Sequence, residues 1–445
     1  MPPGKREDNW IDGLRGIASF IVVTGHICTS FAPWLHSPAL EEGGSPHLFQ
    51  LPFFRFCVGG RAAVAVFFLL TGFVNSLNLS KSIRNGNLES SLLKLSRSTF
   101  NRVGRLVVPT DAAIIVAWLV CQTNAHRIAM RADAAWIQRG AHAPGPTFWE
   151  AIVRLLRNLT LFWHNGITEY DGTHWTIPFF LKGSMQVYLT ILATTLTRLR
   201  YRRLILIFLY LFAWSGGQAL VGMNIYAGML LAELNADFGS RATSVLPKPV
   251  PFIIILVGLF IASFPEHNPD WMPWSHSINV IMQHITPANA EISRYVVSVG
   301  TTIVLHGIFF SRNARRVLTS PIFNFIGRVS FAVYLLHNTL MRTLLAWMIY
   351  WRSAMTTDLN AVDEAGNPVL LQRGGPLTFV IAIPIFYAVL YTVAHLWTTY
   401  VDPQCMRFVG WIQRKAFGED EDEKTSELRS GLLQQNGAPA AAAAV

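Results

Sequence analysis

The chain has 445 residues, of which 51% are hydrophobic and only 14% are charged. Soluble domains carry about 25% charged residues, so this composition excludes an ordinary soluble protein and indicates a polytopic membrane protein. The formal net charge of +10 is distributed between apolar stretches, which argues against nucleic-acid binding, and the four widely spaced cysteines exclude a disulfide framework or a zinc motif.

Apolar stretches of spanning length recur along the chain, and each predicts a transmembrane helix. We place about ten such spans, at 15–31, 61–79, 105–124, 175–197, 202–214, 217–235, 250–264, 293–311, 322–350 and 376–400. The predicted fold is therefore an all-α, polytopic transmembrane helix bundle, with residues 11–400 as its membrane domain.

Basic residues alternate between the connecting segments. The segments on the same side as the N-terminus contain Lys5 and Arg6, then the basic groups within 81–102, 198–203, 241–248, 312–316 and 407–415. Cytoplasmic loops carry an excess of Lys and Arg, so residues 1–10 and the tail, residues 401–445, are both predicted to be cytoplasmic. Beyond about residue 418 the tail is acidic and then rich in alanine, which predicts disorder.

A long segment at about 125–173 is predicted to lie on the opposite side of the membrane, in the lumen or outside the cell. It contains several arginines, but loops of this length are translocated largely regardless of their charge. Its Pro and Gly residues at 143–146 and its aromatic residues predict a folded cap or a re-entrant element over the bundle. We find no internal repeat of the kind that many transporters contain.

The first predicted span carries two ionisable residues, Arg15 and His26. Eleven residues of helix return to nearly the same direction, so both side chains share a face and lie about 16 Å apart along the axis, with Asp12 near that face. Ionisable residues in a span are costly unless they face a polar cavity, which makes both functional candidates. His26 could instead be buried and bonded to a backbone carbonyl, and Arg15 could pair with Asp12 or extend to the membrane surface.

Four motifs occur in order along the chain: Asp12–Gly16 with His26, Val66–Phe73, His174–Pro178 followed by Lys182–Ser184, and Ile326–His337. Together they resemble the acyltransferase type 3 family of integral membrane acyltransferases over residues 12–400, and the third is similar to its fungal form. The resemblance implies transfer of an acyl group from a coenzyme A thioester to a hydroxyl of a carbohydrate, lipid or small metabolite. It also implies that Arg15 and His26 are the essential pair. Imidazole titrates near neutrality and suits the general base that such a hydroxyl needs.

Basic residues at the predicted cytoplasmic entrance to the third span are candidates for donor binding. Arg102 and Arg105 come first and Arg97 and Lys94 second, in keeping with the basic motif that the family carries there. Arginine binds the phosphates of coenzyme A through charge-assisted hydrogen bonds. The alternative is that these residues only signal topology.

Further candidates for the substrate pocket come from the other two motifs. Tyr334 and His337 are neighbours at i and i+3 on one predicted helix, and the resemblance makes His337 either a cavity residue or a structural one. His174 and Trp175 enter the fourth span from the outer side, as interface anchors or as part of the acceptor site. Lys182 is retained from the family pattern.

One departure from the family pattern concerns a carboxylate. Family members often have a glutamate after the Trp-Thr-Ile-Pro run, whereas this chain has Phe179 and Phe180 there. Asp12, Glu169 or Asp171 could supply the missing carboxylate, or the activity is altered.

We therefore expect a membrane-embedded O-acyltransferase with no bound cofactor and no metal, whose partners are acyl-CoA, a hydroxyl-bearing acceptor and the lipid bilayer. The fungal motif suggests a eukaryotic membrane, with the endoplasmic reticulum and the plasma membrane as candidates, and a role in specialised metabolism. Two alternatives stay open. One is a transporter or exporter of an acylated or anionic small molecule, and the other is a lipid-binding or scaffold protein, which does not explain the pairing of Arg15 with His26.

Overall fold

The computed structural model describes residues 9–86 and 88–418. Lys5, Arg6 and the tail predicted to be disordered beyond residue 418 lie outside the described residues. The described residues form the helices α1 Asn9–Phe31, α2 Gly60–Arg84, α3 Leu88–Gln122, α4 Ala135–Arg139, α5 Phe148–Asn165, α6 Thr176–Thr194, α7 Leu199–Ser215, α8 Asn224–Phe238, α9 Ala242–Val245, α10 Pro249–Ala262, α11 Pro273–Ile285, α12 Ile292–Phe310, α13 Arg312–Leu318, α14 Pro321–Arg328, α15 Ser330–Leu340, α16 Ala346–Thr356, α17 Pro376–Leu396 and α18 Asp402–Phe417.

Short 3₁₀ and π-helical segments complete the described architecture. The 3₁₀ segments are Pro33–His36, Leu48–Gln50, Phe54–Val58, Ala129–Arg131, Gly172–Trp175, Gly239–Arg241 and Pro269–Trp271, and the π-helical ones are Ala219–Met223, Met341–Leu345 and Trp397–Val401. The first π segment leads directly into α8. The second joins α15 to α16 and the third joins α17 to α18, so that each forms a continuous helical run. The predicted all-α bundle is confirmed.

Six helical runs among the described residues are long and apolar enough to cross a membrane. They are 10–31, 60–84, 88–122, 219–245, 292–310 and 376–417, and the shorter apolar helix Pro249–Ala262 joins them. Helices also occupy the remaining predicted positions, as α6, α7 and the run from α14 to α16. The total of about ten spans stays a prediction.

Two helices extend beyond the apolar stretches that predicted them. The third helix begins at Leu88 rather than near residue 105, so its basic residues lie on the helix itself. The last run continues past residue 400 to Phe417. In both places polar residues extend a helix beyond its apolar part, because helical hydrogen bonds continue where the chain leaves the apolar region.

The predicted span at 322–350 contains a break, because α14 ends at Arg328 and α15 begins at Ser330. A Cβ atom on Gly327 would lie 2.0 Å from the carbonyl oxygen of Asp12, and one on Gly16 would lie 2.4 Å from the side chain of Ile326. Because only glycine fits at these positions, α14 packs closely on α1. The break after α14 then places Arg328 near the beginning of α1.

Candidate active site

Two cavities lie along α1, one toward each of its ends. The arginine cavity, of about 300 Å³, is lined by Asp12, Arg15, Phe67, Leu70, Thr71, Arg102, Arg105, Leu106, Phe180, Gly327, Arg328, Ser330, Phe331 and Tyr334. The histidine cavity, of about 170 Å³, is lined by Val22, Gly25, His26, Thr29, His36, Gly60, Arg61, Val64, Ala65, Thr173, Trp175, Thr176, Leu220, Glu266, Arg294, Val297, Ser298 and Tyr334. Tyr334 lines both cavities, so the two meet at its side chain.

The arginine cavity collects positive charge from three helices. Its lining contains four arginines, from α1, α3 and α14, against one carboxylate, Asp12. Asp12 Oδ1 lies 3.2 Å from a terminal nitrogen of Arg15, as one sequence alternative expected. Nε of Arg102 donates to Ser184 Oγ at 3.0 Å, which fixes this guanidinium against α6. The lining therefore suits an anionic ligand with several phosphate oxygens.

Aromatic rings fix the orientation of His26 in the histidine cavity. Its imidazole stacks on the indole of Trp136 with ring centroids 5.0 Å apart and on the imidazole of His337 at 5.3 Å. The Arg342 guanidinium also lies over the Trp136 indole, 5.6 Å from its ring centroid. The ring edge carries the nitrogens, which are the atoms through which His26 can meet a ligand in this cavity.

Main-chain contacts set the tautomer of His337. Nδ1 of His337 lies 2.8 Å from the Tyr334 carbonyl oxygen and 3.2 Å from that of Val333. A carbonyl oxygen only accepts, so Nδ1 carries the proton, and Nε2 of the neutral ring is an acceptor. This Nε2 is buried and has no hydrogen-bond partner among the described residues.

Asp171 ties the segment before α6 to α15. Its Oδ1 accepts from the Thr173 amide at 3.0 Å and from the Asn338 side-chain amide at 2.7 Å, while His174 Nε2 lies 3.5 Å from Oδ2. Burial alone would raise the pKa of Asp171, but the neighbouring His174 imidazole and Arg342 guanidinium outweigh it and hold that pKa below its ordinary value. Asp171 is thus the buried anion beside the histidines, whereas Asp12 pairs with Arg15 and Glu169 is exposed.

A second polar group lies across the histidine cavity from the stacked rings. His36 Nε2 lies 3.0 Å from Thr29 Oγ1, and its Nδ1 lies 3.7 Å from Glu266, which also binds Arg61 at 3.1 Å. Burial lowers the pKa of His36, although the Glu266 carboxylate opposes this effect. This cavity therefore offers an acceptor both a neutral imidazole and fixed charges of each sign.

The structure separates the residues predicted from sequence into three groups. Asp12, Arg15, Arg102, Arg105 and Tyr334 line the arginine cavity. His26 and Trp175 line the histidine cavity, so Trp175 belongs to the pocket wall and is not only an interface anchor.

The remaining candidates lie outside the cavity linings. His174 and His337 are fully buried behind them. Arg97 is exposed near Phe417 of α18, with its guanidinium 6.0 Å from the ring centroid, and Lys182 is exposed near Phe179. Neither Arg97 nor Lys182 lines either cavity, because helical phase turns both side chains outward, and a role of Arg97 in donor binding or of Lys182 in the substrate pocket stays a prediction.

Sequence reasoning missed Trp136, Arg342, Arg328 and the group around His36. Arg328 lies inside the motif Ile326–His337 and within a predicted span. It could have been identified from the rule that ionisable residues in a span are functional candidates. Trp136 comes from the long segment between α3 and α6, where nothing in the local pattern indicates contact with His26.

The sequence is similar to that of known acyltransferases. A sequence profile described as an acyltransferase domain matches residues 8–400. Acyltransferase R4 from Phoma sp. is 24% identical, covering 77% of this chain and 84% of its own length. O-acetyltransferase PaAT-1 from Phomopsis amygdali is 23% identical, covering 76% and 72%, and acyltransferase clz18 from Cochliobolus lunatus is 23% identical, covering 94% and 98%. No solved structure matches significantly.

Proposed function

This chain belongs to the acyltransferase-domain family, and we propose that it moves an acyl group from acyl-CoA to a hydroxyl of a small-molecule, lipid or carbohydrate acceptor. The observation that carries the proposal is the meeting of an arginine-lined cavity and a histidine-lined cavity at Tyr334. One relative is named an O-acetyltransferase, which supports a hydroxyl as the acceptor.

The donor is assigned to the arginine cavity by charge. Coenzyme A carries phosphates at one end and the thioester at the other, and this cavity has four arginines in its lining and Phe67 beside Tyr334. Arg102, Arg105 and Arg328 then bind phosphate oxygens, and Arg15 completes the cluster from α1. The lining includes Asp12 and Arg15 near the beginning of α1, the end predicted to be cytoplasmic, which is where acyl-CoA would enter.

The acceptor is assigned to the histidine cavity, where His26 acts as general base. Its imidazole removes the proton of the acceptor hydroxyl as the oxygen attacks the thioester carbonyl carbon. The carbon–oxygen bond forms, the carbon–sulfur bond breaks, and the leaving thiolate takes the proton from the imidazolium. Trp136 and His337 hold the ring in place, which limits the loss of alignment during this exchange.

The test is thiol release by the purified protein in lipid vesicles. We expect free coenzyme A to appear only when an acyl-CoA and a suitable hydroxyl acceptor are both present, together with an equal amount of acylated acceptor by mass spectrometry. His26→Ala protein is the control for contaminating enzymes. Movement of an anionic compound across the vesicle membrane without any thiol release would instead favour the transporter.

A further inference from the structure

We propose that Tyr334 is a gate between the two cavities, and this inference rests on the proposed acyl transfer. The Tyr334 side chain is the wall that the arginine cavity and the histidine cavity share, and only 7% of the residue is exposed. A thioester at the Tyr334 end of the arginine cavity lies on one side of this ring, and His26 lines the cavity on the other side. The Tyr334 ring must therefore move out of the path between the two cavities for each acyl transfer.

A latch holds the Tyr334 side chain in place. Its hydroxyl donates to the Thr173 carbonyl oxygen at 2.5 Å and lies within hydrogen-bond distance of Thr176 Oγ1. Because the phenol has one proton, Thr176 is the donor in the second bond. Thr173 and Thr176 both line the histidine cavity, so an acceptor entering there meets the latch directly.

The other side of the ring faces the arginine cavity. Phe67, which lines that cavity, meets the Tyr334 ring edge-on with centroids 6.5 Å apart. The main chain of Tyr334 is held in α15, where its carbonyl oxygen accepts from His337 Nδ1. We therefore expect opening to be a rotation of the side chain, which is a smaller change than movement of α15.

A closed gate protects the thioester from hydrolysis. Without it, water from the histidine cavity reaches the thioester before an acceptor does. The water oxygen then bonds to the carbonyl carbon as His26 removes a proton from the water, the carbon–sulfur bond breaks, His26 passes that proton to the leaving thiolate, and the acyl group is released as a free carboxylic acid. Exclusion of water until the acceptor is bound prevents this side reaction.

The test compares Tyr334→Phe and Tyr334→Ala with the wild type in the vesicle assay, measuring thiol release with and without acceptor and the ratio of acylated acceptor to free acid. We expect release without acceptor to rise about threefold in Tyr334→Phe, which loses only the latch, and about tenfold in Tyr334→Ala, which joins the cavities. The KM for acyl-CoA is measured for each variant as well, because Tyr334 also lines the donor cavity.

Two further variants complete the design. Tyr350→Phe is the matched control, since it removes another buried hydroxyl, bonded to Asp133 and outside both cavities. Thr176→Val removes the hydrogen bond between Thr176 and the Tyr334 hydroxyl, and it should raise thiol release without acceptor as Tyr334→Phe does. The gate can therefore still be tested if Tyr334→Ala does not fold.

The outcomes separate the two proposals. Absence of thiol release from wild-type protein with every acceptor overturns the acyl transfer itself. An active wild type whose Tyr334 variants keep the same ratio of products overturns the gate. A parallel fall in release with and without acceptor also overturns it, because that pattern indicates a direct role of the hydroxyl in the reaction.

Discussion

The imidazole rings of His26 and His337 stack with centroids 5.3 Å apart and planes inclined by 20°. His337 is anchored by the main chain of its own helix, whereas His26 reaches it from α1. The contact therefore aligns the candidate base against a rigid partner and joins the first motif of the chain to the last.

Removal of the His26 imidazole should abolish acyl transfer while leaving the fold intact. A general base contributes typically 10²–10⁴-fold, so we expect His26→Ala to lower kcat at least about 100-fold. The measurement is thiol release at saturating acyl-CoA. His276→Ala, at an exposed histidine paired with Asp270, is the matched control. Unchanged turnover in His26→Ala would remove His26 from the mechanism.

Loss of arginine from the arginine cavity should weaken donor binding more than the chemical step. Replacement of Arg102 and Arg105 by Gln should raise the KM for acyl-CoA about tenfold or more and reduce its dependence on salt, because phosphate contacts are lost. Arg97→Gln is the control on the same helix, since Arg97 lies near Phe417 instead. An equal effect of all three substitutions would indicate a role in membrane insertion.

Asp171→Asn should lower both stability and kcat without changing the KM for acyl-CoA. The carboxylate is buried and receives bonds from Thr173 and Asn338, and breaking a buried charge pair costs about 3 kcal/mol or more. Because its pKa lies below the ordinary value, this contribution persists at neutral pH and is lost only as the pH falls through the carboxyl range. Thermal unfolding and kinetics measure the two effects. Asp133→Asn is the control, and a result no larger than that control would contradict the assignment.

His126 should make the protein sensitive to acid. Burial, with a smaller effect from the Arg342 guanidinium, lowers the pKa of His126 to about 4. Between pH 6.5 and about 4 the unfolded chain takes up a proton that the folded chain does not, so stability falls with falling pH by up to about 1.4 kcal/mol per unit. His126→Gln should flatten this slope in thermal unfolding, whereas His284→Gln, at an exposed histidine, should not. If stability depends on pH equally in the wild type and in His126→Gln, His126 is not the cause of the acid sensitivity.

A glycan can test the predicted topology. Asn158 matches a glycosylation pattern but is buried, and its side chain bonds to the main chain of Arg154 and Glu169, so we expect it to stay unmodified. Gly43→Asn creates an acceptor before Gly44 and Ser45 in an exposed loop, at a positive φ that asparagine tolerates. We expect glycan at position 43 in a eukaryotic cell, detected by a mobility shift. Glycan on the native Asn78 instead would show that the topology is the reverse of the predicted one.

The candidate site was only partly predictable from sequence. Helical phase placed Arg15 and His26 on one face of α1, and both do line cavities, but the phase could not show that these are different cavities divided by Tyr334. The division depends on α2, α6 and α15, whose side chains come from distant parts of the chain. The sequence leaves Asp12, Glu169 and Asp171 as candidates for a substitute carboxylate, and only packing shows that Asp171 is the one beside a histidine.

Composition and the length of the apolar stretches determined the all-α membrane bundle, because in lipid a segment must satisfy its backbone hydrogen bonds internally. The motifs determined the family, because they preserve residue identity at fixed spacing. Tertiary structure decided which polar groups face each other: that Trp136 covers His26, that Arg328 joins the arginines of α1 and α3, and that Arg97 does not. The physical reason is that periodicity fixes the direction of a side chain from its own helix, whereas the partner it meets depends on how helices distant in sequence pack together.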